Sequence, residues 1–333
     1  MQVSLIESVN LILEHFNYKV LPISNKNNCF DITAKNQNSI LFIKCIPNSD
    51  NFGKDQIAEL KLVAETFQGI PLIISDKNKH YFYKENVIYE KDDIKVMKIE
   101  TFQNILANKI IPFIHVKRGG EFVEIDPEKF KESLNRLKNE TDNFNMSDFA
   151  KEIGVSRRTI SYYQKGEMSA KKSVYDKMKK KFGTSIFKPI DIMEWKPDQK
   201  KELSFNPQDE LRTSLSEQLE HIGLSVLWTK RTPFDGVTDK EYQREVIITG
   251  IGRENDKKKI LIQKIKQIND LSDILNSLSM FIVENEPIKE ILIDKQIYPD
   301  SQVPKLPLFN QEELDDIKNV NELMRELKKE KKE

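Results

Sequence analysis

The residues best suited to recognition chemistry in this 333-residue chain lie in one run, Asn145-Met146-Ser147-Asp148-Phe149-Ala150-Lys151-Glu152-Ile153-Gly154-Val155-Ser156-Arg157-Arg158-Thr159-Ile160-Ser161-Tyr162-Tyr163-Gln164. After Ser156, helical spacing turns Arg157, Arg158, Thr159, Ser161, Tyr162 and Lys165 outward. An arginine fork matches the O6/N7 edge of guanine, and Ser or Thr hydroxyls reach bases or phosphate oxygens. Lys171 and Lys172 follow closely, and Ser147 opens the preceding segment, where it can meet a phosphate. Such a set suits a helix that enters the major groove of a duplex with its N-terminal residues on base edges.

Local signals supply the elements that position these groups. Asp126-Pro127 opens a helix, Asp as N-cap and Pro in the first turn, and Phe130, Leu134 and Leu137 form its apolar stripe. Asn145 caps a short helix that buries Phe149, Ala150 and Ile153. Gly154 allows a tight turn, Val155 packs between the helices, and Ser156 caps a second helix with Ile160 beside the small Ala150. A further helix is expected over Ala170 to Phe182. Upstream, Gly119-Gly120 between His115-Val116 and Phe122-Val123 predicts a hairpin turn rather than a phosphate loop, because no helix starts after the glycines.

Charge is segregated onto the same stretch. Lys+Arg and Asp+Glu are both 53, which excludes a uniformly basic chain drawn to polyanions along its length. Residues 141–190 hold eleven Lys/Arg against five acids, so this module is +6 and the remainder of the neutral chain −6.

The run GVSRRTISYYQKG resembles the turn and recognition helix of lambda-repressor-like (Cro-type) helix-turn-helix domains. Together, KRGGEFVEID and GVSRRTISYYQKGEMSA resemble an archaeal family of helix-turn-helix transcriptional regulators of about this length. The likeness is clear over Arg118 to Ala170 and weaker in the flanks. It implies a sequence-specific regulator, and Ser147, Ser156, Arg157, Arg158, Thr159, Ser161, Tyr162, Lys165, Lys171 and Lys172 as its DNA-binding residues. One departure is visible: many Cro-type domains carry Gln near the start of the first helix, where this chain has Met146-Ser147.

The flanks read as mixed α/β units. Leu5 to Phe16 is helical by period, Tyr18 to Leu21, Phe30 to Ala34 and Ser39 to Ile46 are strand-like, and Asp55 to Phe67 returns to helix. Pro71 to Ile74 reads as a buried strand, followed by a strand at Val87 to Tyr89 and a helix at Glu100 to Leu106. A repeat is expected from Leu211 onward: Glu217–Gly223 answers Leu11–Asn17, and Phe234-Asp235 answers Phe30-Asp31. Likewise Ile260–Lys264 would be the strand answering Ile40–Lys44, and Met280–Glu284 would answer Pro71–Ser75.

This order, with an Asp and then a Lys, resembles the restriction-endonuclease-like, PD-(D/E)XK, core. In active members of that group two acids hold Mg²⁺ and the lysine orients or activates water. Asp31 and Lys44, and Asp235 and Lys264, match the first acid and the lysine, but Phe42 and Ile262 stand at the second acid position. Both copies are therefore expected to be inactive scaffolds, with no catalytic residue, no metal ligand and no cofactor.

Other chemistry finds little support. Cys29 and Cys45 fit neither a zinc pattern nor a disulfide framework, and His15, His80, His115 and His221 lack metal-ligand spacing. No Walker loop or dinucleotide fingerprint occurs. Trp195, Trp228 and Tyr81-Phe82-Tyr83 could stack on bases but read more simply as packing groups. The start of the chain lacks the features of a secretory signal, and no run approaches the ~20 apolar residues of a membrane span.

The expected fold is multidomain α+β: a central all-α lambda-repressor-like helix-turn-helix domain flanked by two α/β endonuclease-like domains. Its divisions are 1–112, 113–195, a linker at 196–209, 210–325, and a frayed charged tail at 326–333. The expected protein is a non-enzymatic, cytoplasmic, homodimeric regulator bound to double-stranded DNA. A Mg²⁺-dependent nuclease targeted by the helix-turn-helix and a protein-interaction adaptor are the alternatives.

Overall fold

Helical and strand periods alternate along the whole chain, and the computed structural model resolves them into fourteen strands and twelve α-helices among the described residues. Those residues are 4–23, 27–117, 119–196, 206–207, 209–238, 245–293 and 306–330. First come α1 (Leu5–His15), β1 (Lys19–Pro22), β2 (Ile32–Lys35), β3 (Ile40–Cys45) and α2 (Lys54–Thr66). They are followed by β4 (Ile70–Ile74), β5 (Val87–Lys91), β6 (Ile94–Met97), α3 (Ile99–Leu106), β7 (Ile114–Lys117) and β8 (Gly120–Val123). Then come α4 (Pro127–Glu140), α5 (Met146–Ile153), α6 (Arg157–Lys165), β9 (Ala170–Lys171) and α7 (Lys172–Phe182). Next are α8 (Glu210–His221), β10 (Val226–Trp228), β11 (Gly236–Thr238), β12 (Ile247–Gly252) and α9 (Lys258–Leu275). The chain closes with β13 (Leu278–Val283), α10 (Glu286–Ile293), β14 (Leu308–Asn310), α11 (Gln311–Asp315) and α12 (Val320–Glu330). Two units result, one from residues 1–45, 52–71 and 196–333, the other from 46–51 and 72–195.

In the first unit, Ser4 and Glu7 form a capping box at the start of α1. Strands β1, β2 and β3 then pair antiparallel, Val20 opposite Ala34 and Ala34 opposite Leu41. The same sequence of elements returns after α8: β10, β11 and β12 pair antiparallel, and β13 and β14 add in parallel. Leu215, Leu219, Trp228, Ile247, Met280 and Ile282 close the core of this second copy. Both opening helices end alike, on a residue with positive φ: Asn17 at 61° and Gly223 at 90°.

One expected correspondence fails. Ile260–Lys264 is not a strand but lies in α9, where Leu261, Ile265, Ile268, Leu271 and Leu275 are buried at helical spacing. The true counterpart of β3 is β12. Asp31 N–H bonds to Ile43 O at 2.9 Å, and Asp235 N–H bonds to Thr249 O at the same 2.9 Å. The expected frayed tail is also corrected: α12 runs to Glu330, and Leu327 within it is buried. Most of the expected linker, 197–205 and 208, and the last three residues, 331–333, lie outside the described residues.

The second unit overturns the central all-α domain. Its mixed sheet has the order β4-β6-β5-β7-β8-β9, and the last strand sits between α6 and α7 in the sequence. Ala170 of β9 pairs with Val123 of β8, so the helix expected from Ala170 begins only at Lys172. Val123, Ile125 and Ala170 are buried in one core with Phe130, Leu134, Phe149, Ile160 and Met178. After α7 the chain returns to the strands, with Asp126 N–H on Ile186 O and Lys188 N–H on Glu124 O, both 2.9 Å. The four helices thus share their core with a sheet. The molecule is α+β with mixed sheets, not an all-α module between two α/β domains. The hairpin expected at Gly119-Gly120 is present, its glycines at φ 106° and 127°.

Candidate nucleic-acid interface

The α5–turn–α6 segment follows its sequence signals closely. Asn145 Oδ1 accepts from Ser147 N–H at 2.7 Å, starting α5. Gly154 ends it in the left-handed region at φ 83°. Val155 N–H bonds back to Ala150 O at 2.9 Å, fixing the turn. Ser156 then caps α6, its Oγ accepting from Thr159 N–H at 3.1 Å and lying 2.9 Å from Thr159 Oγ1. Gly166 ends α6 at φ 73°.

Only Ile160 and Tyr163 of α6 are buried. With 3.6 residues per turn, Arg158 and Lys165 then point directly away from the core, and Ser161 and Tyr162 flank them. Arg157 and Thr159 lie on the two sides of the helix. Arg157, Arg158 and Lys165 are exposed, while Thr159, Ser161 and Tyr162 are half-buried. Of the remaining expected contacts, Lys171 is exposed at the start of α7, and Ser147 and Lys172 are half-buried. Lys172 pairs with Asp176 at 2.8 Å, an exposed i,i+4 pair of little energetic weight. The structure therefore places Arg157 to Lys165 on one helix and Ser147, Lys171 and Lys172 on its neighbours.

The reading from sequence missed the braces of this segment. Lys177 of α7 lies over the Gly154 turn, its Nζ 3.1 Å from where a Cβ on Gly154 would stand. Lys181 holds Glu152 of α5 at 2.6 Å. No local signal gave their partners, which lie in α5 and the turn after it.

The two acid–lysine pairs occupy equivalent places in the first unit. Asp31 Oδ1 accepts from Lys44 Nζ at 2.9 Å and Oδ2 from Cys45 N–H at 2.8 Å, and Lys44 also donates to Asn28 O at 2.8 Å. Both side chains are about 5% exposed or less (5% and 4%). Burial raises the Asp31 pKa, against the opposing pull of Lys44. In the second copy Asp235 Oδ2 accepts from Ile251 N–H at 2.7 Å, just as Asp31 accepts from Cys45. Asp235 is held by two cations, Lys264 at 2.5 Å and Arg212 at 3.0 Å. Arg212 was not anticipated; its place in the first turn of α8 carried no sign of the partner 23 residues away.

These residues do not fit a divalent ion. Phe42 and Ile248 stand two residues before Lys44 and Gly250, where a second acid would be needed, and both are fully buried. Glu59, the buried acid of α2, is committed elsewhere: its two oxygens accept from Lys230 N–H at 3.0 Å and Arg231 N–H at 2.6 Å. Burial raises its pKa, against those two bonds. Among the described residues no group of three His, Cys, Asp or Glu could hold a metal ion, and no helix is long and apolar enough to cross a membrane.

Comparison with known proteins gives two results. Residues 2–112 match the family described as a PD-(D/E)XK superfamily domain. Over nearly its full length the chain is similar to proteins called "Putative HTH-type transcriptional regulatory protein", HTH standing for helix-turn-helix. The relative from Pyrococcus furiosus is 30% identical over 320 residues, 96% of this chain and 95% of its own. That from Thermococcus kodakarensis is 30% identical over 329 residues, 99% and 97% of the two chains. That from Archaeoglobus fulgidus is 30% identical over 276 residues, 81% and 85%. No solved structure matches the chain.

Proposed function

Because this chain belongs to the archaeal family of HTH-type transcriptional regulatory proteins, we propose that it regulates transcription by gripping double-stranded DNA with α5 and α6, the latter in the major groove. The observation that carries this reading is the orientation of α6. Its buried pair, Ile160 and Tyr163, turns Arg158 and Lys165 straight outward from a rigid, doubly capped turn. Ser147, Lys171 and Lys172 meet phosphates on either side, where they set register rather than sequence.

A helix of nine residues reads only a few base pairs. Useful affinity then calls for two copies of the chain on a palindromic site, their α6 helices about 34–36 Å apart or a multiple of that. The PD-(D/E)XK core acts as a scaffold and not as a nuclease, because each Asp already has its oxygens filled by cations and an N–H.

The test is an operator selected from a random duplex library with the full chain. Arg157→Ala/Arg158→Ala should stay folded and lose specific binding; unchanged operator affinity would overturn the assignment. Incubating the wild type with duplex and Mg²⁺ should leave the DNA intact. Cleavage abolished by Asp31→Asn, in a variant whose circular dichroism matches the wild type, would establish the nuclease instead. Binding should weaken steeply with salt as phosphate contacts release counterions, and salt-insensitive binding would point to the adaptor.

A further inference from the structure

The neighbouring arginines of α6 are not equivalent. Arg157 lies at the side of the helix, and Arg158 lies on the crest opposite the buried Ile160 and Tyr163. Arg158 is also held. Its Nε–H donates to Tyr162 Oη at 2.6 Å, one helical turn further on, and its guanidinium carbon stands 5.4 Å from the centre of the Tyr162 ring. The hydrogen bond and the cation–π contact together restrain a side chain that otherwise carries large rotamer freedom.

A guanidinium can pair with a flat two-acceptor edge side-on, through Nε and one terminal nitrogen, or end-on, through both terminal nitrogens. Tyr162 occupies Nε, so the end-on fork remains. Its partner in a major groove is the O6/N7 edge of guanine, since adenine offers a donor where guanine has O6. Tyr162 Oη accepts from Arg158 and keeps its own proton for a phosphate or base acceptor. Its neighbour Tyr163 is buried and anchors the helix, which leaves Tyr162 as the aromatic residue of α6 available for this work.

We propose that Arg158 and Tyr162 form one guanine-reading unit, Arg158 as the end-on reader and Tyr162 as its positioning residue. The proposal rests on the assignment of α6 to the major groove and adds the base it selects. It predicts a guanine in each half of the operator whose major-groove edge is indispensable, and assigns Arg157 to phosphate.

The experiment uses the full chain and its selected operator, with one guanine at a time replaced. 7-Deazaguanine removes N7, one of the two acceptors of a bidentate pair, and should weaken binding at one position per half-site by about 5- to 15-fold. Inosine keeps O6 and N7 and should bind there as guanine does. Arg158→Ala should bind the guanine and 7-deazaguanine operators equally. Tyr162→Phe, which keeps the ring and loses Oη, should erase most of the discrimination while its salt dependence stays that of the wild type. Arg157→Ala should keep the discrimination and lower the salt slope by about 1.

Wild-type binding that ignores 7-deazaguanine at every position would overturn Arg158 as the reader. Full discrimination in Tyr162→Phe would overturn the positioning role. Failure to select any duplex would instead strike the proposed function itself, so the two readings fail separately.

Discussion

Removing the Asp31 carboxylate should cost far more than an ordinary surface change. Asp31 and Lys44 lie 2.9 Å apart with side chains 4% and 5% exposed, so Asp31→Ala leaves an ammonium in the core without the carboxylate that neutralises it. Breaking a buried ion pair from one side costs about 3–5 kcal/mol, because the remaining charge loses its partner without regaining water. A typical domain has only about 5–15 kcal/mol to lose. Asp31→Leu/Lys44→Met should recover most of the loss, since replacing both charges by apolar groups is often neutral or better. Urea unfolding followed by tryptophan fluorescence in a Trp195→Phe background, which leaves Trp228, fully buried in the same unit, as the reporter, reads the effect. Operator affinity measured well below the transition should match the wild type for the double variant, because α6 belongs to the other unit. A cost for Asp31→Ala below about 1 kcal/mol, the ceiling for exposed pairs, would refute the claim that this pair is a structural element of the core.

Three further outcomes follow from positions described above. Gly154→Ala forces a Cβ into φ 83° and against Lys177 Nζ at 3.1 Å, so it should lose about 1–2 kcal/mol in thermal unfolding and weaken operator binding. Gly250→Ala places a Cβ 2.4 Å from both Ile268 Cδ1 and Phe281 Cδ2 and should cost about 1–3 kcal/mol by overpacking; an unchanged urea midpoint would show that the core yields freely. Asp209 is raised by burial, but the Arg212 N–H at 3.0 Å and the Arg253 guanidinium at 2.8 Å outweigh this and hold its carboxyl below the ordinary 3.8. Its contribution is therefore present above pH 3.8 and is lost as pH falls through the lower folded value; Asp209→Asn should flatten that acid limb of the stability curve, and an unaltered limb would deny the network.

The parts legible in the sequence were those whose physics is local. Caps at Asp126, Asn145 and Ser156 and the left-handed glycine at 154 announce helix ends through neighbours within four residues. What failed was long-range. Ala170-Lys171 reads as the first turn of a helix, because nothing nearby tells that Val123, 47 residues earlier, will pair with Ala170. Ile260–Lys264 reads as a strand because five residues of mostly apolar character satisfy either period; only the longer run to Leu275 decides for a helix. The same limit hid Arg212 and Lys177, whose partners come from other elements. The outward face of α6, by contrast, needs only Ile160 and Tyr163 to be inside.

The two Asp sites show how such a misplacement can still find the right residue. Backbone register makes Gly250 the equivalent of Lys44, since each follows the residue that accepts the Asp N–H and precedes the one whose N–H binds the carboxylate. A lysine cannot stand at 250, because Ile268 and Phe281 already fill the space of its Cβ. The buried carboxylate of Asp235 nonetheless requires a cation, and Lys264 delivers one from α9, reaching Asp235 at 2.5 Å and Ile251 O at 2.9 Å. The second copy thus keeps the electrostatic pairing and moves its source from a strand to a helix. Such a shift preserves what folding needs, a neutralised acid beneath the sheet, whereas metal-assisted hydrolysis would also need a second acid, and position 248 offers isoleucine. Charge balance at Asp31 and Asp235 accords with a role in the stability of the unit, whereas folding does not account for the outward placement of Arg158 and Lys165 on α6.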